Sequence, residues 1–362
     1  MKKRTTLILA GIVAVLAVFI LVWERHQVTS GETSDREGRL LPTFVRDRVR
    51  RLEITHAGKK IVLERPEPPE SGEMVDWRLK TPRDVEADDD AVDAVMGALE
   101  WLDARRTVGE VSDADRRRFG LDRPRVRVSY TLSGGTTGTL VVGAAASGEG
   151  VYVQAGDDGI VHVVGQDLFE ALDHDANHYR NKRIAEVRAS KVKTIVLGGS
   201  AGERRLDRRN GVWTLAGQNG GRANTAQVEE MLRALESLDA TRFVADTSGT
   251  ERQDLARYGL TPGRATARIE IEGSPTVNLR VGAPCEGHTD DEIYVMREGS
   301  GVVACTAKSL LDTLGHTTES LRDRRLLTAT PEDSAWIEVG SGATRVKVVK
   351  GAGGWHLDQP RN

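Results

Sequence analysis

The sequence predicts an α+β fold: an N-terminal transmembrane helix followed by two tandem α+β repeats with largely antiparallel sheets and a partial third repeat. Three observations predict it. Residues 7–23, from Leu7 to Trp23, form an uncharged apolar run. A Trp-x-Leu element recurs at Trp77, Trp213 and Trp355, each about 140 residues after the last. Between these landmarks, period-two runs and helical stripes follow one another without strict strand–helix alternation, which indicates an antiparallel sheet with segregated helices.

Composition bounds the rest. The 362 residues suffice for roughly two domains. Fifty-one basic against 54 acidic residues leave a net charge of −3, which speaks against nucleic acid as a partner. A hydrophobic content of 39% supports a core. Two cysteines make neither a disulfide scaffold nor a four-cysteine zinc site.

Taken in order, residues 1–6 read as a cytoplasmic stub and 7–23 as a transmembrane anchor. Lys2, Lys3 and Arg4 precede the run, so the positive-inside rule puts the N-terminus in the cytoplasm. From Thr5 the run gives about 28 Å of helix, near the ~30 Å of a hydrocarbon core. A cleaved signal peptide is the alternative, but Val22-Trp23-Glu24-Arg25-His26 offers no small-x-small site. The expected location is therefore the bacterial inner membrane, single-pass, with the ectodomain periplasmic or extracellular. Residues 24–43 are polar and read as a stalk.

Residues 44–184 and 185–327 read as repeat units, and 328–362 as a partial third unit of strands only. Phe119-Gly120-Leu121-Asp122-Arg123-Pro124 answers to Tyr258-Gly259-Leu260-Thr261-Pro262. Leu140-Val141-Val142-Gly143 answers to Leu279-Arg280-Val281-Gly282, and Val151-Tyr152-Val153 to Ile293-Tyr294-Val295. Tyr179-Arg180-Asn181-Lys182-Arg183 answers to Leu321-Arg322-Asp323-Arg324-Arg325. Each unit opens with strand-like runs (51–55, 60–64 and the Trp77 strand in the first). A helix follows, capped by Asp88 or Asn224, with stripes Val92, Val95, Met96, Leu99, Leu102 and Val228, Met231, Leu232, Leu235, Leu238. A second short helix is expected at 113–118 and 251–257, stopped by Gly120 and Gly259. Strands at 126–132, 138–142, 151–154 and 161–164 match those at 267–271, 276–281, 293–296 and 302–305. A last helix lies at 166–172 or 308–314. The third unit holds strands 336–339, 345–349 and 355–357, expected either to cap the second sheet or to open a longer array.

This ordered set resembles the bacterial domain-of-unknown-function 4340 (DUF4340) family in a tandem form, from Phe44 onward. The second unit departs from it by lacking proline after Trp213. Members of the family often accompany ABC-type transporters, including those of gliding motility. The resemblance therefore implies an accessory role in the envelope and carries over no catalytic residue.

The chemistry-bearing clusters read as structural. His174 and His178 stand at the i, i+4 spacing of a zinc helix, but beyond a helix end and with Ser320 in place of the second imidazole in unit two. Asp88-Asp89-Asp90 offset a helix dipole rather than ligate calcium. Residues 289–292 (Thr-Asp-Asp-Glu) read as a hairpin loop. Arg116-Arg117-Arg118 and the basic residues among 204–209 read as solvated faces, with an anionic headgroup or polymer as the functional option. Trp77, Trp213 and Trp355 read as core. No catalytic residue, cofactor or metal site emerges.

The leading functional expectation is a non-enzymatic, membrane-anchored envelope protein that binds or scaffolds a protein partner, such as transporter subunits. Its rivals are a solute-binding module of a transporter, which needs a cleft, and an enzyme acting on envelope glycan or peptide through carboxylates such as Glu110, Asp113 or Glu251. Cys285 and Cys305 are expected to form a disulfide in an oxidising compartment. Two strands separated by a third lie ~9.6 Å apart, beyond the ~4.4–6.8 Å reach of a disulfide, so residues 283–292 must carry Cys285 across the middle strand. Two free thiols are the alternative.

Overall fold

The protein is described by a computed structural model covering residues 38–359, apart from 69–74, 149, 218–220, 247–253, 326–331 and 342–343. The chain divides between Arg183 and Ile184 into two compact units.

In unit one, β1 (Val49–His56) and β2 (Lys59–Glu64) form a hairpin, followed by β3 (Arg78–Thr81), β4 (Val85–Glu86) and helix α1 (Asp89–Glu100). Then come β5 (Arg106–Glu110), α2 (Asp113–Arg118), β6 (Val126–Leu132), β7 (Thr137–Ala146), β8 (Gly150–Ala155), β9 (Ile160–Gly165) and α3 (Gln166–Leu172). They build one nine-stranded antiparallel sheet in the order β4-β3-β2-β1-β6-β7-β8-β9-β5.

Unit two contains β10 (Val192–Gly199), β11 (Arg204–Arg209), β12 (Val212–Leu215), β13 (Gly221–Arg222) and α4 (Thr225–Glu236). It continues with β14 (Arg242–Asp246), β15 (Ala265–Ile271), β16 (Val277–Cys285), β17 (His288–Arg297), β18 (Val302–Ala307) and α5 (Ser309–Leu314). Its nine strands lie in the order β13-β12-β11-β10-β15-β16-β17-β18-β14, which is the order of unit one strand for strand. A separate three-stranded sheet holds β19 (Trp336–Ser341), β20 (Thr344–Gly351) and β21 (Gly354–Gln359). No strand of it joins the second sheet among the described residues, so capping of that sheet by strand pairing is not what forms.

The expected fold class needs correction. The described chain is mostly antiparallel sheet with few helices: two of 12 residues and three of six or seven. Edge strands β4, β5, β13 and β14 escaped the sequence pattern because they are short: β4, β5 and β13 are largely solvated and β14 is half-buried on both faces, and neither environment imposes period-two alternation. The expected anchor at 7–23 lies outside the described residues, and among those described no helix is long and apolar enough to cross a membrane. The described fold thus contains no N-terminal transmembrane helix. The expected helix at 251–257 also changes: 251–253 lie outside the described residues, and Leu255–Gly259 is turn.

Helical spacing places Val92, Val95, Met96 and Leu99 on one face of α1, buried with Leu52, Leu63, Leu79 and Trp77. Val228, Met231, Leu232 and Leu235 of α4 are buried with Ile195, Leu206, Leu215 and Trp213. Each such side chain contributes about 1.5–3 kcal/mol on burial. The shared motifs have a common mechanical role. Gly120 and Gly259 take positive φ (69° and 64°), turning the chain so that the preceding carbonyls, Phe119 and Tyr258, accept hydrogen bonds from the amides of Ala144 (2.7 Å) and Ala283 (2.8 Å). The preceding glycines, Gly143 and Gly282, let those carbonyls approach: a Cβ at either would overlap the Phe119 or Tyr258 oxygen.

Candidate binding surfaces

The head of each long helix is tied to the unit's closing segment. Asp88 accepts from the Ala91 amide and its own amide donates to the Tyr179 carbonyl; Asn224 accepts from the Gln227 amide and donates to the Leu321 carbonyl. Bridges Ala87–Arg180 and Ala223–Arg322 complete both joints. In unit one Lys182 pairs with Asp88 at 3.2 Å. In unit two the helix starts on uncharged Asn224 and Thr225, beside an open cleft of about 1000 Å³ whose other wall includes Arg322, Arg324 and Arg325. Arg325 hydrogen-bonds Asp323 through its side chain and amide and holds that carboxyl at about 2. Arg324 pairs with Glu319. These arginines are largely committed to neighbouring acids.

A second cleft, about 460 Å³, is lined by Gly198, Arg204, Arg264, Leu311 and Leu314 among others. Arg204 is buried, donating to the carbonyls of Gly202 and Leu314, while its Nε finds no partner among the described residues. Its place in the sheet, opposite Leu197, is filled in unit one by Ile61 opposite Ile54. Burial lowers the Arg204 pKa. A guanidinium replaces a buried aliphatic side chain here, and the last carbonyl of α5 takes up part of its charge.

Cys285 and Cys305 form a disulfide with Cα atoms 6.3 Å apart, both fully buried. The expected loop at 283–292 is strand instead: β16 reaches Cys285 and β17 begins at His288. Register shifts around Pro284 bring Cys285 opposite His288 while Pro284 faces Ile293. The extra residues of β17 are accommodated as a bulge, which allows Cys285 to reach past the middle strand to Cys305. Glu292 lies with both sulfurs inside 4.8 Å. Bonded sulfurs lack the thiolate a metal needs. Burial works to raise the Glu292 carboxyl, but hydrogen bonds from Thr241 and Arg242 prevail and hold it low.

The other sequence candidates are dispersed. His174 and His178 stack with ring centroids 3.6 Å apart, and lone pairs lying in two parallel ring planes do not converge on one ion. Burial, with His174 and Lys182 nearby, lowers the His178 pKa. Ser112 caps α2, placing Asp113 in its first turn and Arg116–Arg118 in its last. Glu110 is exposed in β5, and Glu251 lies outside the described residues. Leu7 and Trp23 also lie outside them.

Trp77 and Trp213 are buried core, whereas Trp355 is 39% exposed. Around Trp355 the third sheet bares Ile337 (40%), Val339 (69%), Val346 and Leu357 (60%). Sequence reasoning read these strands as structural and missed the surface. The signal was their apolar alternation, which is that of buried strands.

The model of the family described as "Domain of unknown function (DUF4340)" matches residues 77–251 and again 213–362, two overlapping stretches consistent with a tandem form. No curated protein and no solved structure matches the chain.

Proposed function

We propose, for a chain that belongs to the DUF4340 family, a non-catalytic role: a cell-envelope protein that binds or scaffolds another protein on the extracytoplasmic side of the bacterial inner membrane. The observation that carries this reading is the bare apolar face of the third sheet. Scattered surface apolar residues are ordinary, but a contiguous set including Ile337, Val339, Trp355 and Leu357 is a surface that further polypeptide, of this chain or of another, would cover. The buried disulfide supports an oxidising compartment. Service to an ABC-type transporter follows from the family resemblance alone.

The test is affinity purification of the full chain from native membranes after mild crosslinking. Transporter subunits, or another envelope protein at comparable stoichiometry, are the expected result; recovery of the chain by itself overturns the binding role. Solute binding is a second reading, favoured by the cleft beside Arg204. Thermal shift with small aliphatic carboxylates tests it, and a shift that survives Arg204→Ile counts against that cleft.

A further inference from the structure

We infer that the cleft beside Arg204 is a binding site for a small aliphatic carboxylate, whose charge is met by buried Arg204 and exposed Arg264 and whose hydrocarbon body lies against Leu311 and Leu314. This rests on the solute-binding reading above and gives that reading its ligand class and its residues.

The same place in unit one carries the inference. Strand registers align Ile61 with Arg204, His56 with Gly199 and Arg125 with Arg264. The last helices align Phe169 with Leu311 and Asp173 with Gly315, because the amides of Asp173 and Gly315 donate to the carbonyls of Phe169 and Leu311. In unit one these side chains fill the place and settle its charges. Ile61 and Phe169 are buried, and the Arg125 guanidinium lies over the Phe169 ring at 3.4 Å. His56 Nε2 stands 2.9 Å from an Asp173 carboxylate oxygen. In unit two, glycines stand where that imidazole and carboxylate were, and leucine where the ring was. The cleft of about 460 Å³ opens among these residues, within the ~300–1,000 Å³ of small-molecule sites.

Charge moves the other way. Relative to unit one, the place loses a carboxylate and gains a guanidinium, and among the described residues no acidic side chain lines the cleft. Arg204 is the buried member of the basic run at 204–209, only 3% exposed. Burial lowers its pKa, but a guanidinium stays protonated, so the charge remains. The carbonyls of Gly202 and Leu314 accept from its terminal nitrogens, yet among the described residues no carboxylate pairs with it and Nε has no partner. An unpaired buried charge and an unmade buried hydrogen bond each cost stability, and a bound anion offsets both. Arg264 lacks the ring on which Arg125 rests, is exposed, and has no side-chain partner among the described residues.

The ligand's chemistry follows from what is left over. One buried cation is balanced by one negative charge, and the planar guanidinium matches the two oxygens of a carboxylate. A phosphate dianion would reverse the imbalance at depth, since exposed Arg264 is screened by solvent. Arg264 contributes instead by drawing the anion to the opening. Beyond the two arginines, Ser200 is the one polar side chain of the described lining, and Ala201, Ala265, Leu311 and Leu314 make the rest of its side-chain wall apolar. That wall suits a hydrocarbon body rather than a hydroxylated one, which would leave its hydroxyl groups unpaired.

The test is isothermal titration of the purified full chain with hexanoate, hexan-1-ol and hexyl phosphate. Saturable one-to-one binding of hexanoate is expected, roughly tenfold or more tighter than the alcohol, which has the same body without the charge. An alcohol that binds equally well overturns the role of Arg204, and hexyl phosphate binding more tightly than hexanoate overturns the carboxylate. Two variants install the residues unit one carries at the same places, so the sheet accommodates them, which circular dichroism checks. Arg204→Ile removes the charge; Leu311→Phe fills the cleft and leaves both arginines in place. Each is expected to weaken hexanoate roughly tenfold or more. Arg264→Gln is expected to weaken it about twofold to threefold and to flatten its dependence on salt. Hexanoate that binds Arg204→Ile and Leu311→Phe as it binds the native chain overturns this site and leaves solute binding to another part of the chain. No binding of hexanoate to the native chain overturns the proposal, and the solute-binding reading falls with it if hexyl phosphate and hexan-1-ol also fail to bind.

Discussion

Units one and two are built on the same sheet, yet each secures its outer, satellite core differently. In unit one Phe119 stacks on Tyr152 with ring centroids 4.1 Å apart, over Leu121, Val141 and Val161. In unit two Tyr258 meets Tyr294 edge-on at 5.0 Å, and the Cys285–Cys305 bond lies among Leu260, Met296 and Val303. The helix heads differ as well: a carboxylate paired with lysine in the first, a neutral amide in the second. What is common to both is the joint between the Phe/Tyr-Gly-Leu turn and the glycine of β7 or β16. That joint sets the fold, while the packing above it varies.

The comparison breaks first at the disulfide. Replacing both cysteines by alanine is expected to lower the stability of unit two by about 3 kcal/mol, the chain-entropy value for a loop of this length. Denaturant unfolding followed by hydrogen exchange resolves the units, and an equal shift in unit one would contradict the assignment. Next come Gly143→Ala and Gly282→Ala. Each forces a methyl group against a backbone carbonyl and is expected to cost about 2 kcal/mol, equally in both units. A mild effect in one unit alone would show that the joint is not shared.

Smaller differences follow at the helix heads. Asp88→Ala and Asn224→Ala each remove a cap worth about 1 kcal/mol. The Asp88 change should be larger, because its acceptor distance is 3.1 Å against 3.5 Å for Asn224 and because Lys182 loses its partner. Urea midpoints of the two variants decide the order.

The smallest expected effect is with pH. Burial lowers His162 and His178 in unit one, where unit two has Ala304 and Ser320. As pH falls through the ordinary histidine value the unfolded chain takes up protons before the folded one, so unit one loses stability on acidification. That loss should vanish in the His162→Ala, His178→Ser double variant; its persistence would place the acid sensitivity elsewhere.

Much of this was legible in the sequence, for reasons that also explain the rest. The stripes of α1 and α4, their caps and the central strands could be read because burial on one face imposes a period. The edge strands could not, since Arg106–Glu110 faces water almost throughout. The reach of β16 and β17 was hidden by a bulge, which breaks alternation where pairing continues. Trp355 carries the same Trp-x-Leu signature as Trp213, but a residue's own pattern says which face it belongs to and not whether a cover is present. The surfaces most relevant to binding depend on that second fact.

The bridges Ala87–Arg180 and Ala223–Arg322 have a consequence for how the chain is made. Each joins a residue just ahead of the long helix to one at the very end of its unit, so it acts as a latch that only the last segment can close. As the chain emerges from its N-terminus, the first latch closes once Arg180 has appeared, before β10 is available. Two sheets with matching registers are open to strand exchange, the characteristic error of tandem repeats. Closing the first unit before the second begins to form removes its strands from that competition.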